Sequence, residues 1–278
     1  SASPIKVVMW NHMAGSALTV ALDIANIAGL GGKTVAIPFW YSIHNVVLQK
    51  ILREHGLKVV EKNPQAGEVK LSVMAPSDMV AALANRAIAG FIVAEPFNAV
   101  AEAKGVGKVL RFSGDGWRDH ACCVTLMQEH DLARRPEWVQ NVVSALVEGQ
   151  AWAAGHRADT ALMLSKQGPH KYTPHEDKVL QNVLAPAPEA WARYTESGII
   201  RHPEWHQRRI DFQPYPYPSY TEKLVEMLKE THIAGVNRFL DELSPQHVAQ
   251  DLVDARFVKQ AVEQGGFAQL FGLNAWTR

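Results

Sequence analysis

A helix start that could bind an anion lies at Ser42-Ile43-His44-Asn45, directly after a predicted strand. Ser42 can cap the helix, and the free N–H groups of the first turn, together with the helix dipole, attract negative charge. His44 in that turn is the strongest single candidate for a ligand contact, and Ser42 is a further candidate. A capping serine beside a histidine packed in the core would give the same pattern, so the residues alone leave both interpretations open.

A second junction of this kind is predicted at Asn11-His12-Met13-Ala14-Gly15-Ser16, where the first strand ends and a glycine allows a turn into a helix. Asn11 and Ser16 are the candidate ligand contacts there. The Ser16 hydroxyl could donate to a ligand or simply cap the helix, and the sequence favours neither role over the other.

Arg118 is the candidate cation of the site. It stands in Trp117-Arg118-Asp119-His120 and offers a planar fork for two oxygens of a carboxylate, sulfonate or nitrate. Asp119 could instead pair with Arg118 and cancel its charge, and the two interpretations are equally open.

Glu95-Pro96-Phe97 is a turn after a predicted strand and could also line a binding site. Glu95 would favour a cationic or hydrogen-bond-donating ligand group, or it would accept backbone N–H groups in a structural role. Trp40 is predicted to lie in the core or in the wall of a cleft.

The two cysteines of the chain are adjacent, Cys122-Cys123, which excludes a disulfide scaffold and a CxxC metal site. We interpret them as small hydrophobic residues on a buried strand. A thiol nucleophile would need a base, and His120 faces the same side as only one of them in an extended strand. His202 and His206 have metal-ligand spacing but lie in a loop-rich region, so we predict no metal, no cofactor and no catalytic residue.

The composition describes an ordinary globular chain. Its 278 residues include 28 Lys+Arg and 28 Asp+Glu, and this balance argues against nucleic acid as a partner. No apolar run approaches the roughly 20 residues of a membrane span. Ser1-Ala2-Ser3-Pro4 leads directly into a strand, so a targeting signal is expected to be absent from this chain.

Strands and helices alternate over the first two thirds of the chain, which predicts an α/β fold with a mostly parallel sheet. The predicted strands are Ile5–Met9, Thr34–Ile37, Val59–Glu61, Lys70–Val73, Phe91–Ala94 and Lys108–Phe112. The predicted helices are Ser42–His55, Ser77–Asn85, Pro136–Ser165 with a break at Gly155-His156, Tyr220–Leu228 and Pro245–Val262.

Five segments in this order resemble a known family: Gly31-Gly32-Lys33-Thr34-Val35-Ala36-Ile37-Pro38, Ser42-Ile43-His44-Asn45, Pro76-Ser77-Asp78-Met79, Ile88-Ala89-Gly90-Phe91 and Glu95-Pro96-Phe97. They are similar to the substrate-binding proteins of nitrate/sulfonate/bicarbonate ABC transporters, with their taurine and thiamine-precursor relatives. The resemblance implies a two-lobe, type II periplasmic-binding-protein fold. One lobe would span residues 12–107, and residues 1–11 and 108–278 would form the hinge strands, near Val7–Asn11 and Lys108–Phe112, and the second lobe.

The resemblance also assigns roles to the candidate residues. His44 matches an anion contact of the nitrate binders, and Ser16 stands where those proteins have a glutamine, which leaves room for a larger ligand. Arg118 matches a lysine that neutralises the anion. Glu95 and Phe97 would line the cleft.

Members of the family usually carry about a further third of a chain upstream of the segment that corresponds to the start of this sequence. We therefore expect the N-terminal part of one lobe to be absent. Its helices would pack on a sheet edge of a second chain or leave an apolar groove exposed.

The resemblance implies a periplasmic or otherwise extracytoplasmic protein that captures a small, anionic solute and delivers it to an ABC permease, without catalysis. Two alternatives stay open. One is an enzyme on the same fold, such as a thiamine-precursor (pyrimidine) synthase, in which His12, His44 and His120 would serve as metal ligands or acid–base groups. The other is a ligand sensor fused to a regulator.

Overall fold

The computed structural model describes residues 4–202 and 208–273, and it places two β-sheets between helices. His206 and the end of the C-terminal tail lie outside the described residues. The strands are β1 Ile5–Ala14, β2 Ser16–Val20, β3 Lys33–Ile37, β4 Lys58–Val60, β5 Glu68–Val73, β6 Gly90–Ala94, β7 Lys108–Phe112, β8 Ala121–Gln128 and β9 Ile210–Asp211.

Helices cover the two sheets and form most of the chain after residue 128. They are α1 Ile43–Glu54, α2 Pro76–Ala84, α3 Phe97–Ala103, α4 Ser113–Gly116, α5 Glu129–Arg134, α6 Pro136–Gly155, α7 Arg157–Leu164, α8 Asp177–Leu184, α9 Pro188–Glu196, α10 Pro218–Lys229, α11 Phe239–Glu242, α12 Pro245–Leu252 and α13 Arg256–Gly265, with a 3-10 turn at Ile27–Leu30. The α/β class is confirmed.

The larger sheet has the strand order β4-β5-β3-β6-β2-β7. Strands β4, β5, β3 and β6 run parallel, and β2 is antiparallel to both of its neighbours. Strand β2 corrects our expectation of a turn into a helix at Ser16. All five of its residues are buried, so its sequence lacks the alternation of polar and apolar residues that marks a half-exposed strand.

The smaller sheet has the order β8-β1-β9 in the described part of the chain. The chain passes from β1 to the larger sheet at Gly15 and returns after β7, over Ser113–His120. Gly15 has a φ of +75°, and a Cβ there would lie 3.0 Å from the Ile210 side chain, so glycine is required. Each change of sheet follows one of the segments expected near the hinge, Val7–Asn11 in β1 and Lys108–Phe112 in β7. Whether these segments act as a hinge stays a prediction. The lobe boundaries at residues 12 and 107 stay a prediction.

The long helical segment breaks where the sequence indicates. Helix α6 ends at Gly155, α7 begins at Arg157, and His156 lies between them. The range Pro245–Val262, predicted to be helical, contains two helices, because α12 ends at Leu252 and α13 begins at Arg256. Val253 instead forms a β-bridge with Val7 of the smaller sheet.

The apolar face of α6 packs against α13 and β1. Val139, Val143 and Val147 are fully buried in one cluster with Val258 and Met9. Three large apolar side chains of the same helix, Trp138, Leu146 and Trp152, are 45%, 41% and 40% exposed. The prediction that a second chain covers such side chains, or that they line an exposed apolar groove, stays a prediction. None of the described helices is long and apolar enough to cross a membrane.

Candidate functional site

Ser16 and His44 meet where the larger sheet faces the smaller one. The Oγ atom of Ser16, the first residue of β2, lies 2.9 Å from Nε2 of His44 in the first turn of α1. Ser42 caps α1 by accepting a hydrogen bond of 3.2 Å from the backbone N–H of Asn45. The cap fixes the start of the helix and with it the place of His44. The structure thus brings two of the predicted ligand contacts into direct contact.

His44 is an uncharged hydrogen-bonding group near neutral pH. Burial, with smaller contributions from His120 and His12, lowers the pKa of His44 to about 3. Its Nδ1 atom is buried and has no hydrogen-bond partner in the described part of the chain. An anion at this position would therefore be held by hydrogen bonds from His44 and Ser16 and not by the charge of the imidazole.

The smaller sheet contributes two thiols to the same region. Sγ of Cys122 lies 3.5 Å from Ser16 Oγ and 3.8 Å from His44 Nε2. Cys122 is partly buried and Cys123 is exposed, so the expectation of two buried hydrophobic residues is wrong although the strand itself is present. Strand β8 is an edge strand of the smaller sheet among the described residues, with β1 as its neighbour.

His12, Cys122 and Cys123 form a compact group of metal-ligating side chains. One ligand atom from each lies within 4.8 Å of those of the other two. Hydrogen bonds with Cys122 and His12 hold the pKa of the Cys123 thiol well below its usual range, while the pKa of Cys122 is raised. Sequence inspection did not predict that His12 and the two cysteines meet, because they are separated by more than a hundred residues.

His120 is held in place by hydrogen bonds on both ring nitrogens. Its Nδ1 donates to the carbonyl of Ala121 over 2.9 Å, which leaves Nε2 to accept from the Ser113 hydroxyl, also at 2.9 Å. Burial lowers the pKa of His120 to about 4. His120 is therefore a neutral structural residue beside the site and not the base for a cysteine.

Glu95 belongs to a buried ion pair. Its carboxylate lies 2.7 Å from the guanidinium of Arg209, and both side chains are 3% exposed. It also accepts the backbone N–H of Ala99 at 3.1 Å. Burial raises the pKa of Glu95, and Arg209 offsets part of the rise. The contacts of Glu95 fit the structural role that the sequence left open, and Arg209 is a partner that sequence inspection missed.

The contacts of the remaining candidates in the described part of the chain are with residues other than Ser16 and His44. Arg118 is 63% exposed at its side chain and lies 3.7 Å from Asp119. Asn11 accepts a hydrogen bond of 2.7 Å from Thr125. Trp40 packs edge-on against His232 and Phe97 against His175, with ring centroids 5.8 and 5.6 Å apart. Their roles as ligand contacts stay predictions.

A cavity of about 670 Å³ lies beside the smaller sheet and is large enough for a small solute. Its lining includes Met13, Asp119, Asp211 and Gln213. These residues come from β1, from the turn before β8 and from the segment around β9, and neither Ser16 nor His44 lines the cavity.

The fold belongs to the class of periplasmic binding proteins. The chain is similar to the nitrate-binding protein NrtA of Synechocystis, with a TM-score of 0.73, 16% identity, and coverage of 95% of this chain and 69% of that one. It is also similar to the ligand-binding component of an ABC-type import system from Staphylococcus aureus with zinc bound, with a TM-score of 0.69, 21% identity, and coverage of 93% and 75%. The desulfurization enzyme DSZB shares the fold at a TM-score of 0.53 and 14% identity, with coverage of 95% and 80%.

The chain belongs to the NMT1-like family, whose model matches residues 1–165. Curated relatives include the nitrate/nitrite-binding protein NrtA of Nostoc, 29% identical over 85 residues, and the bicarbonate transport ATP-binding protein CmpC of Synechocystis, 31% identical over 113 residues. The matched segments cover 31% and 41% of this chain but only 19% and 16% of those proteins. The resemblance to the nitrate, sulfonate and bicarbonate binding proteins is confirmed.

Proposed function

We propose that this protein is the substrate-binding component of an ABC importer, which captures a small anionic solute between two lobes and presents it to a membrane permease. The solute belongs to the nitrate, bicarbonate, sulfonate or carboxylate class. Family membership and the fold support this function, and the protein would act in the periplasm or another extracytoplasmic space. It needs no catalytic step.

The Ser16–His44 contact is the observation that carries the proposal. A strand start and a helix start converge there, so a hydroxyl, an imidazole and the free N–H groups of the first turn of α1 can donate to one ligand. A bound anion would replace the 2.9 Å hydrogen bond between the two side chains. Because His44 is neutral, Arg118 is the residue that would supply positive charge.

Ligand capture would work through the two sheets that meet at this site. Ser16 belongs to the larger sheet and Cys122 to the smaller one, and their side chains are 3.5 Å apart. A ligand that contacts both sides gains its full binding energy only when the lobes are closed. It therefore shifts an open–closed population towards the closed form.

A thermal-shift screen with nitrate, bicarbonate, taurine, alkanesulfonates and aromatic acids tests the function, followed by calorimetry on each hit. A ligand at 100 times its dissociation constant stabilises the folded state by about 2.7 kcal/mol. We expect saturable binding that Ser16→Ala and His44→Ala weaken and that Ser219→Ala, an exposed serine on α10, leaves unchanged. Binding that is indifferent to the first two variants would contradict the site.

An enzyme on the same fold is the second candidate, because Cys123 combines an exposed thiol with a lowered pKa beside His12. Such a thiolate can act as a nucleophile. Mass spectrometry of the denatured protein and of the solution after incubation separates the two functions. A binding protein releases intact ligand, whereas an enzyme yields product or a covalent adduct on Cys123.

A further inference from the structure

We propose that His12, Cys122 and Cys123 bind a single thiophilic divalent ion of the zinc class, with a fourth coordination position left open beside Ser16. The three ligand atoms lie within 4.8 Å of one another. The metal site does not depend on the proposed function, although it adjoins the residues that would hold the solute.

The register of the smaller sheet creates the site. His12 of β1 pairs directly with Cys123 of β8, and the next pair is Met13 with Ala121, so Cys122 is an extra residue in a β-bulge. Successive side chains of a regular strand point to opposite faces. A bulge re-aims one of them, and here it brings the Cys122 thiol to the same side as Cys123 and His12.

The dimensions fit a tetrahedral ion. Zinc binds sulfur at about 2.3 Å and imidazole nitrogen at about 2.0 Å, which sets the ligand atoms about 3.5–3.8 Å apart. Ligand atoms within 4.8 Å reach this spacing by small side-chain rotations. The backbone pairing of β1 with β8 can therefore stay as it is.

The donor atoms are available for a metal. Both cysteines are free thiols, and Nδ1 of His12 is a buried nitrogen without a hydrogen-bond partner in residues 4–202 and 208–273. A buried unpaired nitrogen carries a desolvation cost, and coordination of the ion by Nδ1 would relieve it. Cys123 is exposed, so an ion can reach the site from solvent.

The donor set selects the ion and its chemistry. Two thiolates and an imidazole suit zinc and related soft ions and disfavour magnesium and calcium, which prefer oxygen. Three protein ligands leave the fourth position of a tetrahedral ion for water or a small anion. Ser16 Oγ, 3.5 Å from Cys122 Sγ, can hydrogen-bond a ligand at that position.

Cobalt substitution gives the sharpest test, because the whole chain contains two cysteines and thiolate-to-cobalt absorption can arise from nothing else. The reduced, chelator-treated chain is titrated with Co²⁺ and then with Zn²⁺. We expect near-ultraviolet charge-transfer absorption with the intense visible bands of tetrahedral cobalt, saturating at one ion per chain and bleached by Zn²⁺. Size-exclusion chromatography with light scattering is expected to show the same oligomeric state with and without the ion.

Variants identify the ligands. Cys122→Ser, Cys123→Ser and His12→Asn are each expected to weaken zinc binding at least about tenfold, and the circular dichroism and thermal unfolding of each metal-free variant report whether it is folded. His130→Asn, an exposed histidine on α5, is the matched control and keeps wild-type affinity. Three results would overturn the single-chain site. The folded wild-type chain could lack charge-transfer absorption, or His12→Asn could bind zinc with wild-type affinity. The third is saturation that occurs only in a metal-bridged dimer.

Discussion

The guanidinium of Arg209 lies 2.7 Å from the carboxylate of Glu95, and the two side chains join segments that are 114 residues apart. Arg209 also lies 3.1 Å from Glu102, and its charge is stacked on the ring of Phe112 at 5.2 Å from the centroid. The pair therefore ties the segment that leads into β9 to the turn after β6. Removal of one partner would leave a buried charge without compensation.

Arg209→Met is expected to lower the free energy of unfolding by about 3–5 kcal/mol, because Glu95 would remain buried and unpaired. Urea denaturation measures the change. Arg193→Met, at an exposed position of α9, is the control and is expected to change stability by less than about 0.5 kcal/mol. Near-wild-type stability of Arg209→Met would show that the ion pair contributes little to the fold.

Ser16→Ala removes the hydrogen bond to His44, whose Nδ1 is already unpaired, and leaves Nε2 with only the 3.8 Å contact with Cys122 Sγ. An unsatisfied buried group costs about 1–3 kcal/mol, and the free energy of unfolding is expected to fall by that amount. Chemical denaturation of Ser16→Ala and of the control Ser219→Ala measures the difference. Equal stability of the two variants would argue against a formed Ser16–His44 bond in solution.

Arg118→Ala is expected to weaken anion binding more than His44→Ala does. A hydrogen bond to a charged group contributes about 1.5–3 kcal/mol, whereas one between neutral groups contributes about 0.5–1.5 kcal/mol, and His44 is neutral. Calorimetry with an anion found in the screen, at low and at high salt, measures both losses. Wild-type affinity of Arg118→Ala would remove Arg118 from the binding site.

The contribution of Arg256 to stability is expected to depend on pH. Partial burial acts to raise the pKa of Asp254, but hydrogen bonds from the Arg256 side chain and backbone N–H outweigh this effect and lower it. A lowered carboxyl pKa stabilises the fold above the unfolded value of about 3.9 and loses that effect as the pH falls through the folded value.

Arg256→Gln is therefore expected to be less stable than the wild type near pH 7, and the difference is expected to shrink below about pH 4. The urea midpoints of the two proteins near pH 7 and below about pH 4 measure the difference in stability. Arg193→Gln, at an exposed position, is the control for loss of one positive charge. A difference of the same size at both pH values would contradict the role of the Asp254–Arg256 pair.

The sequence by itself determined the α/β class, most strands of the larger sheet and the break between α6 and α7. These features depend on neighbouring residues: Lys108–Phe112 shows a β-branched and apolar pattern, and Gly155-His156 interrupts a helical repeat. Ser42 was likewise recognisable as a helix cap. Strand β2 was not predicted from the sequence. Its residues are buried on both faces, so polar and apolar residues do not alternate along it as they do in a half-exposed strand.

The tertiary structure alone decided which distant side chains meet. His12, Cys122 and Cys123 converge because a bulge in the β1–β8 pairing shifts the register by one residue, and adjacent cysteines in a regular strand would face opposite sides. Arg209 finds Glu95 through the packing of segments far apart in the chain. Register shifts and long-range ion pairs depend on the packing of the whole fold, and no local pattern of residues encodes them.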